Sequence, residues 1–457
     1  MSDTKVLLIL PPSTSAIKEV LGVTSPPLGL AYIASFLERE GNEVRIIDSL
    51  AENFDLHHID RDIDRWSPDM VGVTSTTPNF YEALKVAKIA KAHECKVVMG
   101  GPHVTFMDVE TLEKNPFVDY IVRGEGEITM HELIKSLEKR IEPKDVLGLT
   151  YRVNGVIKRN PPRPPIKDLD SLPMPAYHLL PMERYVSEGL RYATVISSRG
   201  CPFECVFCSS SRICGKRWRA RSTEKVVEEV QLLTDKYRVQ SIEFVDDNFT
   251  LNRKRVKGIC EEFVKRGIDL FWVCGSRVDS VNSELVSNLS KANCLLIYLG
   301  VESGSQRILD YMMKGITLSQ SERAVRLAKR YGLEVAASFI LGMPDETVSE
   351  IEDTIKFAIK LDPEFAQFTI ATPYPGTELY DYALENNLLI TRDWSKYDTL
   401  TPVMRTVIGV KRLVKLFRKA YFKFYGRIGY VISQIRKRRL IIASKFFKVI
   451  KNYLRSR

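Results

Sequence analysis

Over residues 1–140 short apolar runs alternate with longer segments of mixed polarity. The runs Val6–Leu10, Val44–Ile47, Met70–Val73, Val97–Met99 and Tyr120–Val122 predict five buried strands. Between them, Leu28–Arg39 and Tyr81–Ala92 carry the spacing of amphipathic helices. Strand–helix alternation of this kind predicts an α/β fold with a doubly wound, Rossmann-like parallel sheet, whose ligands bind beyond the carboxyl ends of the strands. The loops expected there are Pro26-Pro27-Leu28-Gly29, Ser75-Thr76-Thr77-Pro78, Gly100-Gly101-Pro102-His103 and Gly124-Glu125-Gly126-Glu127.

Residues 141–190 break the rhythm. Pro161, Pro162, Pro164, Pro165, Pro173, Pro175 and Pro181 exclude a long helix and predict a linker. A second alternating series fills 191–376. Its strands are predicted at Thr194–Ser197, Ser241–Asp246, Phe271–Ser276, Leu295–Val301, Val335–Leu341 and Phe365–Ala371, with helices such as Thr223–Lys236 and Ser319–Tyr331 between them. Six strand–helix units are too few for a closed eightfold barrel, so a partial (β/α)6 barrel with its site at the strand C-termini is expected. Residues 377–457 read as a helical C-terminal region.

Composition adds class and compartment. With 44% apolar and 27% charged residues, the 457-residue chain is ordinary for a globular protein. No stretch approaches the roughly 18 uninterrupted apolar residues of a membrane span. The opening run stops at Pro11-Pro12 and reads as a strand rather than a signal peptide. Eight cysteines, three of them bunched, do not form a disulfide framework and suit a reducing, cytoplasmic compartment. The net charge of +10 is uneven: residues 399–457 hold 17 Lys and Arg and no acidic residue, while the rest holds 50 basic against 57 acidic residues. The tail also carries helical stripes, first Val410, Leu413, Val414, Phe417, Tyr421 and Phe424, continued by Ile428, Val431, Ile432 and Ile435, then Phe446, Phe447, Ile450 and Leu454. Packing on the protein body suits the part up to about Ile435. Peripheral contact with the inner face of a membrane suits the basic part Arg436–Arg457. A nucleic acid or acidic partner is the other outlet for such charge.

The densest chemistry is Cys201-Pro202-Phe203-Glu204-Cys205-Val206-Phe207-Cys208, set just after the first strand of the second series. Thiolates are soft ligands, suited to iron–sulfur clusters, zinc or copper. A four-iron cluster ordinarily takes four thiolates, so three leave one iron open to a substrate or cosubstrate. A structural zinc needs a fourth ligand, and the next cysteine, Cys214, stands alone. Cys95, Cys260, Cys274 and Cys294 lie in apolar contexts and are expected to be buried thiols.

This cysteine spacing, with Phe207 before the last cysteine, resembles the radical S-adenosylmethionine (SAM) superfamily. The resemblance implies a 4Fe-4S cluster held by Cys201, Cys205 and Cys208, with the amino and carboxylate groups of S-adenosylmethionine on the open iron. Reduction by a low-potential electron donor then yields a 5′-deoxyadenosyl radical that abstracts hydrogen from an unactivated carbon. The likeness extends over Phe244-Val245-Asp246-Asp247-Asn248-Phe249-Thr250, Arg277, Gly300-Val301-Glu302-Ser303-Gly304-Ser305 and Phe339-Ile340-Leu341-Gly342-Met343-Pro344-Asp345-Glu346-Thr347. It implies that Asp246 and Asp247 lie by the methionyl amino group, Glu302 and Ser303 by the ribose, and Gly342 near the adenine, with Phe207 and Arg277 also against the cosubstrate. Read from the residues alone, Asp246 and Asp247 equally suit a helix cap or salt bridges, and Glu302 a structural carboxylate. Arg217, Arg219 and Arg221 around Trp218 suit anchoring of the loop, anchoring of a cofactor, or plain surface charge.

The N-terminal region resembles cobalamin-binding domains, and the whole resembles B12-binding-domain-containing radical SAM proteins. Ser75 and Gly100-Gly101 match two parts of the cobalamin fingerprint. Pro26-Pro27-Leu28-Gly29-Leu30 takes the place of the axial-histidine loop, and His57 and His58 lie elsewhere. The resemblance implies cobalamin contacts at Pro27, Gly29, Ser75, Thr76, Gly100, Gly101, His103, Gly124 and Glu125, with no protein imidazole required on cobalt. His103 also reads as an ordinary loop histidine. The implied activity is C-methylation of a small-molecule or lipid substrate, with methyl transfer through cobalamin. The alternative is ring closure, C–C coupling or oxidation of a lipid or tetrapyrrole without methyl transfer. A tRNA methylthiotransferase would bring a second cysteine trio, where only Cys95 stands, so nucleic acid is not the expected partner.

Overall fold

The computed structural model describes residues 4–12 and 24–436. The chain forms two compact units. One is built from Thr24–Pro202 and Ser209–Ser241 together with the opening strand, the other from Phe203–Cys208 and the chain from Ile242 onward. Among the described residues no helix is long and apolar enough to cross a membrane.

The first unit carries a sheet of β1 (Lys5–Leu10), β2 (Glu43–Asp48), β3 (Met70–Thr74), β4 (Lys96–Gly100), β5 (Tyr120–Val122), β6 (Leu149–Val153) and β7 (Val156–Arg159). The order is β2-β1-β3-β4-β5-β6-β7. The first five strands pair in parallel, with Val6 opposite both Val44 and Met70. Central strands covered on both faces must be apolar throughout rather than alternating, and Val6–Ile9 are all buried.

The segment expected to be a linker instead extends this sheet. β6 runs antiparallel to β5, and β7 antiparallel to β6 with Val153 opposite Val156. The two-residue turn is Asn154-Gly155, both with positive φ (48° and 80°), the backbone that a tight hairpin requires. The proline-dense stretch Pro161–Pro181 begins only beyond β7. A second tight hairpin joins β8 (Val186–Ser187) to β9 (Leu190–Val195), so the strand expected at Thr194–Ser197 starts earlier and stops at Val195. Ser198–Arg199 (β10) turns away and pairs with Arg219–Ala220 (β11).

The second unit contains β12 (Ser241–Phe244), β13 (Phe271–Arg277), β14 (Cys294–Glu302), β15 (Glu334–Leu341) and β16 (Phe365–Ile370), in the order β16-β15-β14-β13-β12. The pairs β13–β14, β14–β15 and β15–β16 are parallel. Helices Arg253–Lys265, Ser283–Lys291, Leu318–Arg330 and Val348–Leu361 alternate with these strands, as the periodicity predicts.

An open sheet leaves β16 as an edge, and the helix Val410–Tyr425 closes it. The Tyr421 hydroxyl donates to Phe368 O (2.9 Å) and accepts from Phe368 N (3.2 Å). Tyr425 does the same with Ala366 O (2.9 Å) and N (3.1 Å). The match is geometric: four residues of helix rise about 6 Å and two residues of strand about 6.6 Å. Leu413, Phe417, Tyr421 and Phe424 are buried, so the first tail stripe packs on the body as expected. The continuation does not. Ile428, Val431 and Ile432 are exposed, because Tyr430 turns inward and donates to Glu364 O (3.0 Å). The last stripe and most of Arg436–Arg457 lie outside the described residues.

Each edge tyrosine satisfies both polar groups of a buried strand residue. Tyr421→Phe and Tyr425→Phe should each destabilise the protein by about 1–3 kcal/mol, because a buried N–H and C=O are left unpaired. Urea unfolding with an unchanged denaturant slope checks this; an effect below about 0.5 kcal/mol would show that the edge does not depend on them.

Candidate functional site

The cysteine loop is shaped at its base by β10 and β11. Gly200, next to Cys201, has φ +90°, and a Cβ there would lie 2.6 Å from Arg217 O and 2.9 Å from Gly215 O. Any other residue would push these strands apart. The Cys201 N–H donates to Gly215 O (3.3 Å). The following stretch, Phe203–Cys208, belongs to the second unit. There Val206 N donates to Met312 O (3.1 Å) and Val206 O accepts from Leu379 N (2.8 Å), while Cys208 N closes a turn on Cys205 O (3.0 Å). Cys201, Cys205, Cys208 and Cys214 are half-buried and carry reduced thiols, and Cys95, Cys260, Cys274 and Cys294 are buried as expected. Among the described residues no three His, Cys, Asp or Glu side chains converge as ligands of a single metal ion. A cubane cluster takes its thiolates on separate irons and does not need that convergence.

Around Phe203–Cys208 the second unit places cations. The Arg277 guanidinium lies 3.6 Å from the Phe203 ring centroid, forks onto Asp279 (2.9 and 3.1 Å) and donates to Lys314 O (2.6 Å). The Lys314 ammonium is 2.8 Å from Glu302 Oε1 and 5.8 Å from the Phe207 ring centroid. Ser338 donates to Glu302 Oε2 (3.1 Å). Burial works against the Lys314 charge, but the Glu302 carboxylate outweighs it and holds the pKa above the usual lysine value. Burial pushes the Cys205 thiol up, while Lys314 and Arg277 pull it down. Glu302 ends β14 at φ +65°, and a Cβ on Gly300 would lie 2.6 Å from Glu302 Oε1 and 2.8 Å from Lys314 Nζ. The glycine and the strained glutamate together make room for the ion pair. Lys314 was not singled out by the sequence; its one signal is a lone lysine following the apolar Met312-Met313.

The other predicted residues of this unit fall at strand ends. Asp246 is half-buried and Asp247 exposed, just beyond β12. Their neighbour Asn248 is 3% exposed, and among the described residues neither atom of its amide has a partner. Ser303 is buried with its hydroxyl 3.2 Å from Thr354 Oγ1. Gly342 has φ +86°, and a Cβ would strike Leu413 at 2.7 Å. Its N–H and that of Met343 (3.1 Å) point at Glu346 Oε2.

In the first unit the four expected loops all lie at the carboxyl ends of the parallel strands. Pro27 precedes helix Leu28–Arg39, and a Cβ on Gly29 would meet none of the described residues within 4 Å. Gly101 stitches two of these loops together: at φ +98°, a Cβ would lie 2.6 Å from Ser75 O. Ser75 N donates to Gly100 O (2.8 Å), and Thr76 N to Asn79 Oδ1 (2.7 Å). His103 is buried, with Nδ1 3.1 Å from Thr77 Oγ1 and its ring 4.3 Å from that of Phe80. His58 caps its own helix through Asp55, away from these loops. Gly124 takes φ +71°, and Glu125 turns its carboxylate onto Arg219 (2.7 and 3.1 Å) and Ile166 N (2.7 Å). Arg219 and Arg221 are therefore not surface charge: both are buried, and Arg221 pairs with buried Glu229.

Burial raises the Glu346 carboxyl to about 7, against the pull of its two backbone hydrogen bonds. A raised pKa means this group's stabilising contribution is complete below the ordinary glutamate range and is lost as pH climbs to 7. Between pH 4.5 and 8 the parent protein should lose up to about 3 kcal/mol relative to Glu346→Gln, which keeps the acceptor but cannot ionise. Denaturant unfolding of both proteins across that range checks it; parallel pH profiles would refute it.

The radical SAM superfamily profile matches residues 195–358, and the B12 binding domain profile matches residues 14–134. An uncharacterized methyltransferase of Pyrococcus horikoshii is 50% identical over 438 residues, 95% of each chain. The anaerobic magnesium-protoporphyrin IX monomethyl ester cyclase of Rubrivivax gelatinosus is 32% identical over 88% of this chain and 73% of its own. Among solved structures, the radical S-adenosylmethionine methyltransferase TsrM of Kitasatospora setae, with cobalamin and a 4Fe-4S cluster bound, superposes with a TM-score of 0.71 at 20% identity, covering 84% of this chain and 75% of its own. Two domain matches in the expected order, on a chain that aligns almost end to end with a relative at half identity, identify it as a member of the B12-binding-domain-containing radical SAM enzymes.

Proposed function

We propose that the protein is a cobalamin-dependent radical S-adenosylmethionine methyltransferase acting on an unactivated carbon of a small molecule. The observation that carries this reading is the cysteine loop Cys201–Cys208, whose second half is bracketed by the Lys314 and Arg277 cations. Soft thiolates beside two cations suit an anionic iron–sulfur cluster. When bound, the cluster would supply the electron that cleaves S-adenosylmethionine, and cobalamin the methyl-transfer centre.

The residues then divide the work. Cys201, Cys205 and Cys208 would hold the cluster. Lys314 and Glu302, fixed to each other and to Ser338, would offer a charged and a polar contact to the cosubstrate's carboxylate and ribose. Asp246 and Asp247 would face its ammonium. Asn248 has two amide atoms with no partner among the described residues at the same strand end, and a buried amide in that state calls for a polar ligand. Gly342 and Ser303 would shape the adenosine side, and Phe207 and Arg277 would exclude water beside it. In the first unit, Pro27, Gly29, Ser75, Thr76, Gly100, Gly101, Gly124 and Glu125 would border a cobalamin, with open space beside Gly29 among the described residues. His103, held through Nδ1 by Thr77 and packed on Phe80, would contact the same cofactor from the loop after β4.

A second reading has one specific support, the 32% identity with a cyclase that acts on a tetrapyrrole ester. It keeps the radical step and drops methyl transfer. A low-potential electron donor is required under both, and a lipid remains within the proposed substrate class.

Anaerobically reconstituted protein should bind close to four irons and produce 5′-deoxyadenosine from S-adenosylmethionine. Replacing Cys201, Cys205 and Cys208 by alanine should bring both to background; a variant that kept them would overturn the assignment. Product mass then separates the two readings, since methylation adds one CH2 and cyclisation removes two hydrogens.

A further inference from the structure

The end of the described chain presents a surface that the proposed chemistry does not use. Helix Ile428–Arg436 follows Gly426 and is pinned by two inward groups. Tyr430 donates to Glu364 O (3.0 Å), and Arg427, just before the helix, donates to Phe424 O (2.8 Å) and pairs with Asp362 (2.9 Å). At 100° per residue, positions 428 and 432 fall about 160° from Tyr430, on the opposite face, and 431 about 100° away on the flank beside them. Ile428 is 79%, Val431 40% and Ile432 45% exposed. In the preceding helix Phe422 is 73% exposed, in a turn that also exposes Lys423. A stripe of aliphatic residues at i, i+3 and i+4 is ordinarily the buried face of a helix. Here the fold turns it outward.

What covers it is indicated by charge. From residue 399 onward the chain carries 17 Lys and Arg and no Asp or Glu. The outward face of helix Val410–Tyr425 continues this with exposed Lys411, Arg412, Lys415 and Lys423. A protein partner for an apolar stripe would not demand the run of unpaired-in-sequence cations beside it, where the nearby Asp362 carboxylate is already matched by Arg427 and Lys329. A nucleic acid would use the cations but leave the aliphatic stripe in water. An anionic phospholipid surface takes both, with aliphatic and aromatic groups entering the interface and the cations meeting headgroup phosphates.

We infer that the exposed stripe Ile428–Val431–Ile432, with Phe422 and the flanking lysines, docks the protein on an anionic phospholipid surface. The contact is peripheral: three aliphatic residues and one aromatic ring enter the interface, and the rest of the helix stays on the protein. It goes beyond the proposed reaction and does not depend on it.

The test is partition of the full-length protein onto vesicles, read by co-sedimentation. Wild type should bind vesicles containing phosphatidylglycerol far better than pure phosphatidylcholine vesicles, with binding weakened by salt. The variant I428S/V431S/I432S should lose at least tenfold in partition coefficient with an unchanged unfolding midpoint. The variant K411E/K415E/K423E should lose the preference for anionic vesicles. Absence of wild-type binding would overturn the inference, and so would equal partition of the serine variant. Tighter binding to single-stranded RNA that survives the serine substitutions would assign the surface to nucleic acid instead. Stronger vesicle binding after truncation at Arg436 would show that the chain's own last residues cover the stripe.

Discussion

Two buried pairs of opposite charge fix the base of the cysteine loop. Glu125 and Glu127 come from the loop after β5, Arg219 from β11 and Arg199 from β10. Arg219 forks onto Glu125, and Arg199 meets Glu127 at 2.7 Å. Isolated, any of these charges would be prohibitively costly at such depth; paired and hydrogen-bonded, they hold one geometry. Arg219 also donates to Cys214 O (2.7 Å) and Ile166 O (2.6 Å), so one guanidinium gathers three segments distant in sequence. A loop that ends one sheet thereby becomes the anchor of the hairpin from which the cysteines spring. Glu125 is already fully engaged in that task, so any contact it makes with a cofactor would have to be shared with Arg219.

The same economy governs the second unit. The carboxyl end of a parallel strand is where backbone groups run out of ladder partners and polar side chains can be held over a ligand. Glu302 sits there in a left-handed conformation that a glutamate rarely adopts, and Gly300 leaves the space its carboxylate fills. Such strain persists only where the surroundings enforce it. Lys314 and Ser338 enforce it here from two different elements. Asn248 is the complementary case, a buried amide unanswered by any of the described residues. The two features mark opposite ways of preparing a polar site, one satisfied in advance and one waiting.

Much of this was legible in the sequence. The parallel strands announce themselves as continuous apolar runs, and helices such as Leu28–Arg39 by their period, because burial on both faces of a sheet and on one face of a helix leaves different patterns. The hairpin β6–β7 was equally written, in Asn154-Gly155 between apolar residues, but the prolines that follow drew the whole stretch toward a linker. Site residues separated along another line. A cysteine trio declares its chemistry through residue type and spacing alone. Lys314, Asn248 and the pairing of Arg199 with Glu127 do not, since their meaning lies in burial and in partners many residues away.

The C-terminal stripes show why periodicity cannot decide which face is covered. The sequence presents one amphipathic run from Val410 to Ile435, and its first half and second half look alike. Gly426 ends the first helix, and the second restarts with a different rotation. What fixes that rotation is polar: Tyr421 and Tyr425 must reach the open edge of β16, and Tyr430 must reach Glu364. Hydroxyl groups meeting unpaired strand backbone thus set the orientation, and the aliphatic residues of the second helix are left facing outward as a consequence. The hydrophobic pattern proposes a face, but the hydrogen-bonding demand of the sheet edge chooses it.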